Sequence, residues 1–331
     1  MTEPMLYVGM LFSTFAWHVE DHNLYSINFH HQGAAKTWYG VGPHHAAAFE
    51  EVVREKVFSA PPGHASIPDD LLHSLLIGKA AMFSPGLLVA GGVGVLRAVQ
   101  RAGDFVVTFP RAYHAGFSHG CNCGEAVNFA TPDWLPEGAA ALQRYSALAR
   151  APIIAHDAYL CKEMEVAMGR QGGGQQDAST KAAFVVRRDR VQKRIEEIKQ
   201  DRAGRVDVRV LRHWQALECP LCRTQCHVAM LTCDCEGVAP TCLFHNTRLI
   251  ECGCEEVDVS LHCEWPRWEE WAQQAREEEG VRQILEQQVP AASCCPTTPP
   301  KRTGGPTPPT AGSQREGEAR RGGGKRVKTE G

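Results

Sequence analysis

The sequence has no run of about 18 apolar residues, so nothing in it reads as a membrane-spanning helix. Its opening, MTEPMLYVGMLF, has no basic leader and an apolar stretch interrupted by Glu3 and Pro4, which excludes a secretory signal. Charge of one sign is scarce as well. With 35 basic and 38 acidic residues the formal net charge is −3, so bulk charge points to neither nucleic acid nor a membrane surface. Cysteine, by contrast, is abundant: there are 14, and eight of them fall between Cys219 and Cys254, several as C-x-C or C-x-x-C pairs. Without a secretory leader, such clustering reads as metal binding in a reducing compartment rather than as disulfides. At 331 residues and 43% hydrophobic content the chain has material for two domains plus tails.

Residues 5–135 read mainly as strands joined by short loops. LYSINF and DFVVTF alternate or run apolar in strand fashion, and KTWYGV ends at a Gly-Pro turn. One helix is predicted over HAAAFEEVVREKVF, where Phe49, Val52, Val53 and Val57 fall near helical spacing. Residues 136–168 read as a helical extension starting at Pro136 and Glu137. GRQGGGQQDAST reads as a flexible break and residues 181–203 as a charged, solvated connecting helix, the two together spanning 169–212. The cysteine-rich module is placed at 213–263. One further helix is predicted at 264–290, with Pro266 in its first turn. Residues 291–331 lack apolar periodicity and read as a disordered basic tail. The PPKR and GGGKRVK clusters in that tail suit nuclear import and suit a merely soluble tail equally well.

FAWHVEDHNLYSIN, residues 15–28, places a histidine and a glutamate two positions apart in what reads as one buried strand. Side chains two apart on a strand share a face, so His18 and Glu20 point the same way, with Ser26 and Asn28 farther along. Burying an imidazole with a carboxylate is costly unless something binds both. An H-x-E pair can grip one metal ion, and His114, after the apolar strand DFVVTF, is the best third ligand. Two histidines and one carboxylate on one side of a metal leave the opposite positions open, the arrangement suited to non-haem Fe(II) and oxygen chemistry. Taken alone, an H-x-E pair is more often a charged stripe on a surface strand, or a histidine satisfied in the core.

The wider stretches FAWHVEDHNLYSIN, GAAKTWYGV and GDFVVTFPRAYHAGFSHGCNCGEAVNFATPDWLP resemble the JmjC family of 2-oxoglutarate-dependent histone lysine demethylases, most of all its plant-type members. The resemblance covers roughly residues 5–160. It implies a mainly β fold with helices, a double-stranded β-helix or jelly-roll barrel over 1–135 with the metal inside. His18, Glu20 and His114 match the family's iron ligands. Lys36 matches the lysine that pairs with the far carboxylate of 2-oxoglutarate, Asn28 a hydrogen-bonding partner of that cosubstrate, and Phe15 and Trp38 the walls of its pocket. Tyr7, Glu20 and Asn128 match the methyl-lysine pocket, and Ala126 stands where some relatives carry serine. The implied reaction hydroxylates an N-methyl group, and the hemiaminal collapses to formaldehyde and a less methylated lysine. Lysine 9 of histone H3 is the implied target, with lysine 4 as runner-up. Chromatin, a nuclear location and a weak DNA contact go with that reading.

Zinc is expected in CPLCRTQCHVAMLTCDCEGVAPTCLFHNTRLIECGC, because it takes four thiolate or imidazole ligands, often from paired knuckles. The stretch resembles the zinc finger of five cysteines, a histidine and two cysteines that follows the JmjC domain in these enzymes. On that resemblance Cys219, Cys222, Cys242 and His245 hold one Zn(II), and Cys233, Cys235, Cys252 and Cys254 hold another. Cys226 is left over. The zinc would stand in for a hydrophobic core, with histone or DNA contact as the alternative role. Cys121 and Cys123 read as free thiols, and His30, His31, His44, His45, His64 and His73 as loop or surface residues. Relatives also carry a JmjN segment and an opening part of JmjC ahead of LYVGM. Their absence is expected to leave an unpaired sheet edge and keeps a second reading open, a catalytically inert chromatin-binding scaffold.

Overall fold

A computed structural model describes residues 3–59, 66–170, 174–201, 205–233, 238–245 and 257–287. Two four-stranded antiparallel sheets face each other. The first has the order β1 (Met5–Gly9), β8 (Asn122–Phe129), β3 (Tyr25–Gly33), β6 (Phe105–Thr108); the second β2 (Thr14–His18), β7 (Tyr113–Ser118), β4 (Lys36–Val41), β5 (Leu96–Gln100). Apart from β4 and β5, which pair with each other, successive strands alternate between the sheets, which makes a jelly roll. β1 lies at an edge, paired among the described residues with β8 alone, and its Met5, Leu6, Tyr7 and Val8 are exposed.

The segment 15–28 is not one strand. β2 stops at His18, and a short turn over Asp21–Asn23 with positive φ at His22 and Asn23 carries the chain across to the facing sheet, where β3 begins. Ser26 and Asn28 therefore look into the barrel from the wall opposite His18. Residues 5–135 also hold more helix than their strand-like reading suggests. α1 (Ala46–Val52) continues into one π turn over Val53–Val57, and α2 (Asp69–Ile77) and α3 (Pro85–Ala90) follow. The short α3 is started by Ser84, whose Oγ accepts the Gly86 N–H at 3.2 Å, with Pro85 in the first turn. Phe49, Val53, Leu72 and Leu88 from these helices bury Trp17 and Tyr113 on the outer face of the second sheet.

The helical extension is two helices, α4 (Leu135–Ala147) and α5 (His156–Gly169). α6 (Gln175–Asp201) is not a solvated connector. Its Phe184, Val185, Val191, Ile195 and Ile198 are buried in a core shared with Trp134, Leu160, Met164 and the strands of the cysteine-rich module. From Arg187 onward charged residues and glutamines fill the positions between, which hid that apolar stripe in the sequence. The module pairs β9 (Val206–Val210) in parallel with β13 (Val257–Leu261), which pairs antiparallel with β12 (Ala229–Thr232); a small hairpin joins β10 (Leu217–Glu218) to β11 (Gln225–Cys226). The helix predicted at 264–290 is broken at Glu278, whose backbone is extended, into α7 (Trp265–Glu277) and α8 (Glu279–Gln287). The tail from 288 onward lies outside the described residues, and among those described no helix is long and apolar enough to cross a membrane.

One buried ion pair ties α5 to α6. The Arg187 guanidinium donates to both carboxylate oxygens of Asp157, at 2.8 and 2.6 Å. Burial alone would raise the Asp157 carboxyl; the facing guanidinium more than offsets it and holds the pKa below the usual carboxylate range. A carboxyl depressed in the folded state stabilises fully above its unfolded value of about 3.9, and the contribution is lost as pH falls through the folded value. Asp157→Asn leaves a guanidinium without its counter-charge and is expected to cost about 3–5 kcal/mol near neutral pH. Urea unfolding at pH 7 and at pH 3 measures it: the gap between wild type and variant should narrow in acid.

Candidate active site and metal centres

β2 and β7 run antiparallel with His18 directly opposite His114, but the register slips between Phe15 and His18. Phe15 faces Gly116, so regular pairing would set Trp17 opposite His114 and turn His18 to the outer face. One extra residue in β2 restores His18 to the barrel interior, the usual effect of a β-bulge. The irregularity is anchored from outside. The Trp17 N–H donates to Ala81 O at 2.9 Å, its indole N–H donates to Phe83 O at 3.0 Å, and its ring is fully buried between Phe49 and Phe83. Burying a ring of this size stabilises by roughly 4–6 kcal/mol, ample to hold one bulged residue.

His18 and His114 rings lie 4.2 Å apart between centroids. Glu20, in extended backbone just past β2, brings Oε1 to 3.3 Å from His114 Nε2 and 4.0 Å from His18 Nε2. One ligand atom from each of the three lies within 4.8 Å of the others. Both imidazoles are oriented alike: His18 Nδ1 is 2.7 Å from Ala16 O and His114 Nδ1 is 3.0 Å from Ala112 O. A carbonyl can only accept, so each Nδ1 carries the proton and each Nε2 offers a lone pair inward. Burial, reinforced by neighbouring His114, lowers the His18 pKa to about 4, so the ring is neutral at pH 7. Burial also works to raise the Glu20 carboxyl, but contacts with His114, His18 and the Asn128 amide prevail and hold it at about 2. Two imidazoles and one carboxylate, converging from one side, suit a divalent ion of the ferrous type.

The remaining pocket residues surround this cluster. Phe15 packs on Trp38 at 4.6 Å, and Trp38 lies 6.0 Å from the His114 ring. Gly116 makes the approach fit, since a Cβ there would sit 2.4 Å from the Phe15 ring and 2.1 Å from Thr37 O. Lys36 is buried, and burial lowers its pKa. Gly124, paired with His30 on β3, leaves room for it: a Cβ at 124 would lie 3.4 Å from Lys36 Nζ and 3.7 Å from Asn28 Oδ1. Ala126 pairs with Asn28, and Asn128 with Ser26. Asn128 Nδ2 also donates to Tyr25 O at 3.2 Å. Tyr7 sits opposite Gly124 on the edge strand, half exposed.

Three groups escaped the sequence reading. His30 is on β3 and fully buried rather than at the surface. Glu50 of α1 accepts from Tyr113 Oη at 2.8 Å and pairs with Arg144 at 3.1 Å, bracing β7 one residue before His114. Gln100 contacts both Trp38 and Asn28. A lone glutamine on a strand or a glutamate on an amphipathic helix carries no motif, so only the fold reveals their partners.

The second cluster joins Cys219, Cys222, Cys242 and His245, again with ligand atoms within 4.8 Å of one another. Cys222 Sγ and Cys242 Sγ are 3.7 Å apart, and Cys242 Sγ is 3.2 Å from His245 Nδ1. A tetrahedron with metal–sulfur bonds of 2.3 Å has edges of about 3.8 Å, so the spacing fits zinc. The knuckle closes by the Arg223 N–H donating to Cys219 O at 2.8 Å, with Arg223 at φ 64°. Of the other proposed set, Cys233 lies among the described residues; Cys235, Cys252 and Cys254 lie outside them, as does His64. Cys226 is buried, and burial together with Cys219 and Cys222 pushes its thiol up to about 12.

Comparison with known proteins agrees with this geometry. Residues 5–129 match the JmjC domain, hydroxylase. Over 272 residues, 78% of the chain and 31% of the relative, the protein is 40% identical to Lysine-specific demethylase JMJ706 of Oryza sativa subsp. japonica. It is 52% identical over 157 residues to Lysine-specific demethylase JMJ705 of the same plant, covering 47% of the chain and 12% of the relative. Against Lysine-specific demethylase 5B of Gallus gallus it is 37% identical over 253 residues, 76% of the chain and 16% of the relative. The chain thus spans under a third of the length of each. Its barrel, carrying the His18–Glu20–His114 cluster, is a JmjC domain homologous to those of plant and animal lysine-specific demethylases.

Proposed function

We propose that this chain removes methyl groups from lysine of histone H3 in the nucleus, with lysine 9 as the first target and lysine 4 as the next, using Fe(II) and 2-oxoglutarate. The observation that carries the reading is the convergence of two inward Nε2 lone pairs and one carboxylate at the centre of a barrel with a buried lysine on β4. Fe(II), 2-oxoglutarate and dioxygen together supply the N-methyl hydroxylation, which yields succinate, carbon dioxide and, from the hemiaminal, formaldehyde.

The protein's own groups do the rest. His18, Glu20 and His114 hold the ion from one side and leave the other open. Lys36, desolvated and cationic, attracts the distal carboxylate of the cosubstrate, and Asn28 donates to it. Phe15 and Trp38 wall that pocket against water. Asn128 and Ala126 line the wall toward β1, and with Tyr7 and Glu20 they offer oxygen atoms and small side chains around a methylammonium, which binds by weak C–H···O contacts. Alanine at 126 leaves more room there than serine.

The experiment is formaldehyde release and mass loss on histone H3 peptides trimethylated at lysine 9 or at lysine 4, comparing wild type with His18→Ala. Wild type should lose steps of about 14 Da, one methyl replaced by hydrogen in each, that the variant does not. Equal signal from both proteins removes the enzyme assignment.

In the cysteine-rich module we propose one Zn(II) on Cys219, Cys222, Cys242 and His245, and a second on Cys233, Cys235, Cys252 and Cys254. Both would be structural, because Val228, Leu231, Leu243 and Val259 of the module complete the apolar core around α6.

A further inference from the structure

Gln100 ends β5, is only 2% exposed, and stands opposite Lys36 across the β4–β5 pair. Its side-chain oxygen accepts the Trp38 indole N–H at 2.9 Å. An indole nitrogen can only donate, so the Gln100 atom facing it must be the oxygen, which fixes the amide's NH2 on the other side. That NH2 reaches Asn28 O at 3.0 Å, Asn28 Oδ1 at 3.2 Å and Asp104 O at 3.2 Å. All of these are acceptors. The Asn28 atom turned toward Gln100 must therefore be its oxygen, and its NH2 is turned away. The donor polarity of one indole is thus passed through two amides in series to a residue on the facing sheet.

We infer that Gln100 is a positioning residue for an anionic dicarboxylate in this pocket: it locks the Asn28 amide with its N–H donors, rather than its oxygen, toward the anion that Lys36 attracts. The inference rests on the 2-oxoglutarate reading. Asn28 and Lys36 are neighbours on one wall, since a Cβ at Gly124 would lie within 4 Å of both side chains. A released Asn28 amide can flip at little cost, and half of its orientations would set an oxygen against the incoming carboxylate. With Trp38 and Asn28 both buried, water has poor access to take the place of Gln100 between them.

The test is calorimetric titration of 2-oxoglutarate into the Mn(II)-loaded protein, which binds without turnover. Gln100→Met removes these hydrogen bonds at similar volume. Gln100→Glu keeps the acceptor for Trp38 but presents a second acceptor to Asn28 and so forces the amide the wrong way. Expected losses in 2-oxoglutarate affinity are about tenfold for Gln100→Met and larger for Gln100→Glu, with Mn(II) affinity and the far-ultraviolet circular dichroism unchanged. Because Gln100 acts through Asn28, Gln100→Met should cost nothing further in an Asn28→Ala background. Additive losses in that cycle, or wild-type affinity in both single variants, overturn the proposal while leaving the cosubstrate reading intact. Wild type that binds Mn(II) but not 2-oxoglutarate overturns both.

Discussion

Glu20→Ala will bring formaldehyde release to background and weaken Fe(II) binding by more than about 100-fold, while the barrel stays folded. The magnitude follows from charge. Among the three converging side chains Glu20 alone is anionic, and its carboxyl is held at about 2 by His114, His18 and Asn128, so it is fully ionised at any working pH. Without it a dication would meet two imidazoles and no anion. Losing a group that merely orients a metal ligand already costs 10–100-fold in affinity or activity, and a charged ligand costs more. The fold should survive because Glu20 sits in the turn after β2, whereas β2 is held through Trp17 and its pairing with β7. Mn(II) titration followed by calorimetry, beside circular dichroism of the metal-free protein, separates the two effects. A variant that still binds the ion within a few-fold of wild type would refute the assignment of Glu20 as a ligand.

Cys222→Ser should remove one zinc equivalent and unfold the region from β9 to α8. Apparent binding free energies for structural zinc in small modules are about 10–16 kcal/mol, comparable with or above the total stability of a typical domain at about 5–15 kcal/mol. The damage should spread beyond the knuckle. Leu231, Leu243 and Val259 share one core with Phe184 and Ile195 of α6 and with Trp134 beside the barrel. Loss of the module therefore exposes α6 and strips packing from α4 and α5. Zinc content by atomic emission, with limited proteolysis along 206–287, is the measurement. The protein with Cys226→Ser serves as the comparison, expected to keep its zinc because Cys226 lies outside the four-ligand cluster. Full zinc content in Cys222→Ser would dismiss the proposed ligand set.

Some of this molecule is legible along the chain and some is not, for physical reasons. The jelly-roll class and the convergence of His18, Glu20 and His114 come through because ligands need particular residue types at particular spacings, and because the surrounding stretches resemble a family. α1 shows because its apolar residues keep a helical period. α6 misleads because its apolar stripe is narrow among charged neighbours, and whether a charged helix is solvated depends on what packs against it. The break at Glu278 leaves no mark in a continuous run of helix formers. Continuity of aromatic and apolar residues across 15–28 suggested one strand, whereas the left-handed residues His22 and Asn23 divert the chain between sheets. Gln100 and Glu50 take their roles beside the site from partners more than sixty positions away, Asn28 and Tyr113.

The slip in β2 has an evolutionary consequence. Trp17 and His18 are adjacent, and which of the two rings meets the interior depends on parity, counted from Phe15. Gain of a single codon between Phe15 and Trp17, with the one bulge kept, would keep every metal-binding side chain in the gene and yet rotate His18 out to the helical layer and swing Trp17 against His114. A lineage could silence such an enzyme in one step while its motif still scans as intact, so counting matched ligands in a gene catalogue overstates how many of these barrels can hold an ion.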